Sequence, residues 1–253
     1  MSVYKIFPSK DASIYSEFPT KNTGIDEILD LSKTLNATST ALGSISYETA
    51  RLLIQSPTDQ IQSVIQNYVG TSSYDCYLKL YLSYASEIPI DYTLITYPIS
   101  ESWEMGTGRI NNSPITTNGV SWKYRNYDSG IEWTTSSFAT NSTASFSGSN
   151  GGGTWYYNQY ATQSFTYYTE KDLELKVTNI VTSFYSGTIQ NNGFIILKSG
   201  SEFTGPSPYT LNYFSRDTNT IYPPTLEIKW NDFIFSTGSS NYTITSNPNS
   251  IVT

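Results

Sequence analysis

The chain has 253 residues, a net charge of −7 and a sequence pI of about 4.6, and it contains no histidine, one cysteine and 22 tyrosines. The missing histidine and lone thiol exclude Ser-His-Asp and Cys-His nucleophilic centres and the usual zinc sites, leaving carboxylates for any catalysis. No dense Lys/Arg cluster interrupts the acidic balance, which argues against nucleic acid or an anionic membrane as the partner.

The chain opens on Met1-Ser2-Val3-Tyr4-Lys5 without a basic and then apolar leader, and no apolar run approaches the length of a bilayer span. The expectation is synthesis in the cytoplasm without an export signal. Tyr4 and Ile6 begin a strand, Pro8-Ser9-Lys10-Asp11 turns it, and Ala12-Ser13-Ile14-Tyr15 resumes. After a turn at Pro19 to Gly24, strands are expected at Ile28 to Ser32, Ser44 to Tyr47 and Ala50 to Ile54. Ile61, Val64 and Ile65 repeat at helical spacing behind Thr58 and Asp59, which predicts one or two helical turns capped at that end. Tyr77 to Ala85 is the clearest strand, and Cys76 beside it reads as a buried structural thiol. Tyr92 to Ile99 is another strand, with Pro98 placing its end at an edge.

Residues 106 to 165 change character towards Gly, Ser, Thr, Asn and aromatics. Trp122, Trp133 and Trp155 mark this as a long decorated excursion rather than a linker, and Ser147 to Gly153 reads as a mobile loop tip. Strands return at Gln163 to Tyr168 and Leu173 to Val177. Thr178 is placed to cap a short helix running to Tyr185 and closed by Gly187. Further strands fall at Gly193 to Lys198, Tyr209 to Ser215 and Thr225 to Trp230. Many short strands between turns predict an all-β antiparallel sandwich of jelly-roll type with one or two short helices. It would occupy residues 1–230, with 231–253 as a C-terminal arm or the start of a following segment.

The order of segments resembles the DNRLRE-type domain, a jelly-roll family related to carbohydrate-binding modules. The matching pieces begin with Pro8 to Ile14, Lys21 to Gly24, Arg51 to Ile54, Leu78 to Tyr81 and Glu101 to Glu104. They continue with Val177 to Val181, Asn192 to Ile196, Phe214 to Arg216 and Pro223 to Ile228. The resemblance implies binding or scaffolding rather than catalysis. The chain is most similar to copies in tailed-bacteriophage virion proteins, on three grounds: a start at Met1, a Ser/Thr/Asn/Tyr-rich surface and a departing tail. It implies a virion structural protein (head decoration, neck, tail or fibre) in a homo-oligomer with other virion proteins. The alternative is a carbohydrate-binding module for an extracellular polysaccharide.

Trp122, Tyr124, Tyr127, Trp133, Trp155, Tyr156 and Tyr157 are the candidate interface or glycan-contact residues, because planar rings on loops serve both purposes; the same rings could equally fasten the loops by packing. Arg51 and Arg216 sit where the family carries arginine and are expected to form structural ion pairs; Trp103 is expected to anchor its segment to the sandwich. Glu101 and Glu104 are the carboxylates a glycosidase reading would need, the bland alternative being a solvated loop. No cofactor is expected. Asp11, Asp26, Glu27 and Asp30 could offer oxygens to a structural calcium, though without EF-hand spacing.

Overall fold

The computed structural model describes residues 1–35, 47–134, 151–200 and 208–231, with the strands at 143–144, 233–237 and 242–246. The first half supplies β1 (Ser2–Ile6), β2 (Lys10–Tyr15), β3 (Ile28–Leu35), β4 (Tyr47–Gln55), β5 (Tyr74–Leu80), β6 (Leu82–Ser86) and β7 (Tyr92–Pro98). The excursion carries short pieces: β8 (Tyr124–Asn126), β9 (Ile131–Glu132), β10 (Thr143–Ala144) and β11 (Trp155–Tyr156). The rest comprises β12 (Ala161–Phe165), β13 (Leu173–Lys176), β14 (Phe194–Lys198), β15 (Tyr209–Phe214), β16 (Thr225–Trp230), β17 (Phe233–Thr237) and β18 (Tyr242–Ser246).

Two curled antiparallel sheets face each other, and the chain is an all-β sandwich of jelly-roll kind. The smaller sheet runs β1-β16-β5-β13, and the larger runs β12-β7-β14-β4-β3-β15-β6 with β2 also paired to β4. Strand period dictates what lies between them. In β5, Cys76, Leu78 and Leu80 are buried and alternate with less buried neighbours, and β13 repeats this with Leu173 and Leu175. They meet Leu52, Ile54, Phe194, Ile196, Leu226 and Ile228 in one continuous core. The β7 ladder with β12 stops at Thr96, so Pro98 has a partner only on β14, in keeping with a proline at a strand end.

Two helices close this core. In α1 (Thr58–Val64), Ile61 and Val64 point inward, and the chain continues through a π-helical turn at Ile65–Val69. Its N-terminus carries Pro57 without a side-chain cap, so the expected Thr58 or Asp59 cap is not made. In α2 (Thr178–Tyr185), Ile180, Val181 and Phe184 are buried. Thr178 lies inside the helix rather than capping it, and its hydroxyl accepts the Cys76 N–H at 2.9 Å, tying α2 to β5.

The outer face of the large sheet is covered as well. β4 and β14 are buried on both faces, with continuous burial over Thr49–Ile54 and Phe194–Leu197. Leu53, Ile195 and Leu197 face outward with Ala12, Ile14, Ile95 and Ile99, and meet Trp103, Val120, Trp122, Trp133 and Trp155 in a second core. The excursion is therefore a third layer laid over β2, β4, β7 and β14. Beyond Trp230, in the segment expected as a C-terminal arm or the start of a following segment, β17 and β18 pair with each other as a two-stranded hairpin. Ser44 to Ser46 and Ser147 to Asn150 lie outside the described residues. No described helix is long and apolar enough to cross a membrane.

Phe194 is fully buried and packs edge-on against Phe184 at 5.5 Å. Phe194→Ala should lower the unfolding free energy by about 3–5 kcal/mol in urea titrations; a loss below about 1 kcal/mol would contradict this packing.

Candidate functional site

The aromatic stretch converges on Arg51. This residue pairs with Ile14 across the β2–β4 ladder and faces outward beside Leu53, so its guanidinium lies in an apolar layer. It is fully buried. A buried charge demands partners. Nη1 donates to the Gly152 carbonyl, while the guanidinium carbon lies 4.7 Å from the Trp122 ring centre and 5.3 Å from that of Trp155. Its described contacts are thus a carbonyl and two indole faces. Cation–π contacts are worth about 2 kcal/mol or more each once desolvated.

Gly151, Gly152 and Gly153 make this geometry accessible, and they are buried rather than a mobile tip. All three have positive φ (131°, 86° and 84°), a region that side-chain-bearing residues avoid. A Cβ on Gly152 would stand 2.5 Å from Arg51 Nη1 and 2.9 Å from the Trp122 ring, and the Gly152 N–H donates to the Trp122 carbonyl at 2.6 Å. The run is a tight fit of backbone against an arginine and an indole.

Trp122, Trp133 and Trp155 are all buried, at 4%, 1% and 0% exposure, so of the roles open from sequence they fasten the loops and are not surface platforms. The reason is area: three indoles next to an outward row of Leu, Ile and Ala gain more by covering it than by facing water. The Trp133 indole N–H donates to the Ser121 carbonyl at 3.0 Å, and Trp155 stacks on Tyr97 at 5.7 Å. Trp103 does anchor its segment, donating to the Asn192 carbonyl at 2.9 Å. Of the tyrosines, Tyr124 and Tyr127 form a half-buried edge-to-face pair at 4.9 Å, Tyr156 is half-buried and Tyr157 is exposed. Arg216 reaches the Ser9 carbonyl and lies 3.9 Å from Asp217, a partly exposed ion pair.

Two polar residues fasten the third layer, and sequence reasoning missed both roles. Asn22 is fully buried; its Nδ2 donates to the carbonyls of Met105 and Val120, both at 2.7 Å, and its Oδ1 accepts from the N–H groups of Gly24 and Gly108. The only signal was an Asn next to Thr-Gly in a turn. Glu101 accepts from Thr134 N–H at 3.0 Å, Thr134 Oγ1 at 2.6 Å and Thr154 Oγ1 at 2.7 Å, with Arg125 at 3.6 Å. Glu104 pairs with Lys10 at 3.3 Å. Both carboxylates are engaged in scaffolding contacts.

The calcium candidates are engaged separately. Asp11 accepts the Arg216 N–H, Asp26 the Ile110 N–H and Asp30 the Tyr15 hydroxyl, and Glu27 pairs with Arg109. Among the described residues, no three His, Cys, Asp or Glu side chains group as a metal site. Burial pushes the Cys76 thiol up to about 12, helped by Asp75, so it is not a thiolate at neutral pH. Burial would also raise Glu227 on the outer face of the small sheet. Lys79, Lys229 and Lys5, each 3.2 Å away, hold it below its ordinary value instead. Polar clefts open on the surface. One, of about 500 Å³, lies by Trp103, Gln55, Gln62 and Asn191; another, of about 340 Å³, lies by Lys79, Gln163 and Asp172. Compared with known proteins, no family model and no curated relative matches the chain.

Gly152→Ala should lower Tm by several degrees more than Gly187→Ala, since both have positive φ but a Cβ on Gly187 meets nothing within 4 Å. Equal losses would mean that contact with Arg51 is immaterial. A second expectation concerns pH. Burial lifts the Asp11 carboxyl from 3.8 to about 7, against the Arg216 N–H and with help from Asp217. The folded state therefore holds this proton more tightly than the unfolded state. Its stabilising effect is complete below about pH 4 and fades as pH rises to about 7. Asp11→Asn keeps an acceptor for Arg216 and should remove that part of the decline in urea midpoints between those pH values. An unchanged slope would contradict the shift.

Proposed function

We propose that the chain is a structural component of a tailed-bacteriophage virion, built on a DNRLRE-like jelly roll and acting through protein–protein contacts rather than catalysis. The family resemblance and the Ser/Thr/Asn/Tyr-rich composition suggest the virion setting. The observation that carries the choice of protein over sugar is the burial of Trp122, Trp133 and Trp155. A carbohydrate-binding module presents flat rings to its ligand, and here the indoles pack on the sheet and on Arg51. Glu101 and Glu104 are held by threonines, Arg125 and Lys10, which favours a scaffold over a hydrolase.

Closed symmetric assembly is the usual arrangement for such components, and repeated use of one patch follows from it. Mass spectrometry and cryo-electron microscopy of purified particles test the proposal. The chain should be found in the particle at a copy number matching a symmetric ring or fibre. Its absence from purified virions would overturn the reading.

A further inference from the structure

The turn between β12 and β13 holds two tyrosine rings in water. Tyr167 is 73% and Tyr168 91% exposed, and they stand edge-to-face at 5.2 Å. Below them, Phe165 is buried and stacks on Tyr92 at 4.8 Å, which fixes the base of the turn to the sandwich. The turn is also closed from within. Thr169 N–H and Oγ1 donate to the Thr166 carbonyl, and Thr166 N–H donates to Thr169 Oγ1 at 2.9 Å. The Lys171 ammonium donates to the carbonyls of Thr166 and Thr169, both at 2.6 Å, and to that of Tyr167 at 3.5 Å. All three of its protons are then committed to the turn. Exposed aromatic rings on a backbone already locked lose little freedom on binding, which is what an interaction hot spot requires.

The surroundings of the turn say what would bind. The adjacent cleft of about 340 Å³ is lined by Lys79, Tyr81, Gln163, Glu170, Asp172 and Glu174. Lys79 is paired with Glu174 at 3.3 Å and with Glu227 at 3.2 Å. Glu170 and Asp172 have no cationic side-chain partner among the described residues, and both are exposed. Glu170 and Asp172, which make no ion pair among the described residues and flank a Lys171 already bound to backbone carbonyls, follow the two exposed rings in sequence; together they are complementary to a cation, and most of all to a guanidinium, which stacks on rings and bridges carboxylates. A second copy of this acidic chain, at −7, is a poorer match.

We propose that the Thr166–Thr169 turn and the Glu170–Glu174 rim form a docking site for an arginine- or lysine-bearing segment of a different protein. This rests on the reading of the chain as a contact protein and names the chemistry of one partner. The test probes the full chain on an array of short peptides of known sequence covering acidic to basic net charge, with a polysaccharide array in parallel. Bound peptides should be enriched in arginine or lysine, and binding should weaken with added salt. The Tyr167→Ser/Tyr168→Ser variant should bind about tenfold more weakly with an unchanged Tm, and Glu170→Gln should weaken binding in part. Neutral or acidic bound peptides, indifference to the tyrosines, polysaccharide binding through the same tyrosines, or no binding on either array would each overturn the proposal. Presence in purified virions together with any of those results would leave the virion reading standing and remove this one alone.

Discussion

The structure depends on how a buried guanidinium is accommodated. Arg51 projects from a central strand into an apolar layer, where an unpartnered charge would cost several kcal/mol. The chain meets that cost by enclosing the group: Trp122 and Trp155 offer their faces and Gly152 its carbonyl. Those partners come from positions 71 and more residues away in sequence. Satisfying one side chain therefore folds an otherwise loop-like stretch onto the sheet. The three consecutive glycines are the steric counterpart: a Cβ would meet Trp122 at Gly151, both Arg51 and Trp122 at Gly152, and Ile195 at Gly153.

Polar anchors complete what the aromatic layer begins. Asn22 uses its whole amide to hold the backbone at Met105, Gly108 and Val120, and Glu101 bridges Thr134 to Thr154. These contacts join the two ends of the excursion to each other and to the β2–β3 connection. The outer face of the small sheet is treated differently. There Glu227 sits among Lys5, Lys79 and Lys229, so that face is charged while the large sheet's face is paved with rings. Two sheets of one sandwich thus have opposite outer chemistry.

The strands were legible because their burial has period two. Leu173 with Leu175 announced β13, whereas the single strand expected over Tyr77 to Ala85 is split into β5 and β6, which lie in different sheets. The helices were legible from Ile61, Val64 and the Thr178–Tyr185 stretch, but not their caps, because Thr178 is used by a neighbouring strand. The consecutive apolar residues at Leu52–Ile54 and Phe194–Leu197 held an unread clue: strands buried on both faces need a layer outside the sandwich. Without that layer in view, tryptophans among Ser, Gly and Asn read as surface rings or as loop fasteners alike, and a glycine run looks like a loop tip. Arg51 was correctly marked as needing a partner, but periodicity carries no information about partners so distant in sequence. The tyrosine tip at Tyr167 and Tyr168 was read as the end of a strand, because its exposure depends on where β12 stops.

The central claim is that Arg51 holds the third layer to the sandwich. Native-state hydrogen exchange on Arg51→Met tests it most directly, since methionine keeps much of the side-chain volume and removes the cation. Amides bonded within the third layer, such as Gly152, Val120 and Trp133, should lose protection. Those of β5, β13 and β16 should keep theirs. Uniform loss across both regions, or unchanged protection in the third layer, would contradict the account.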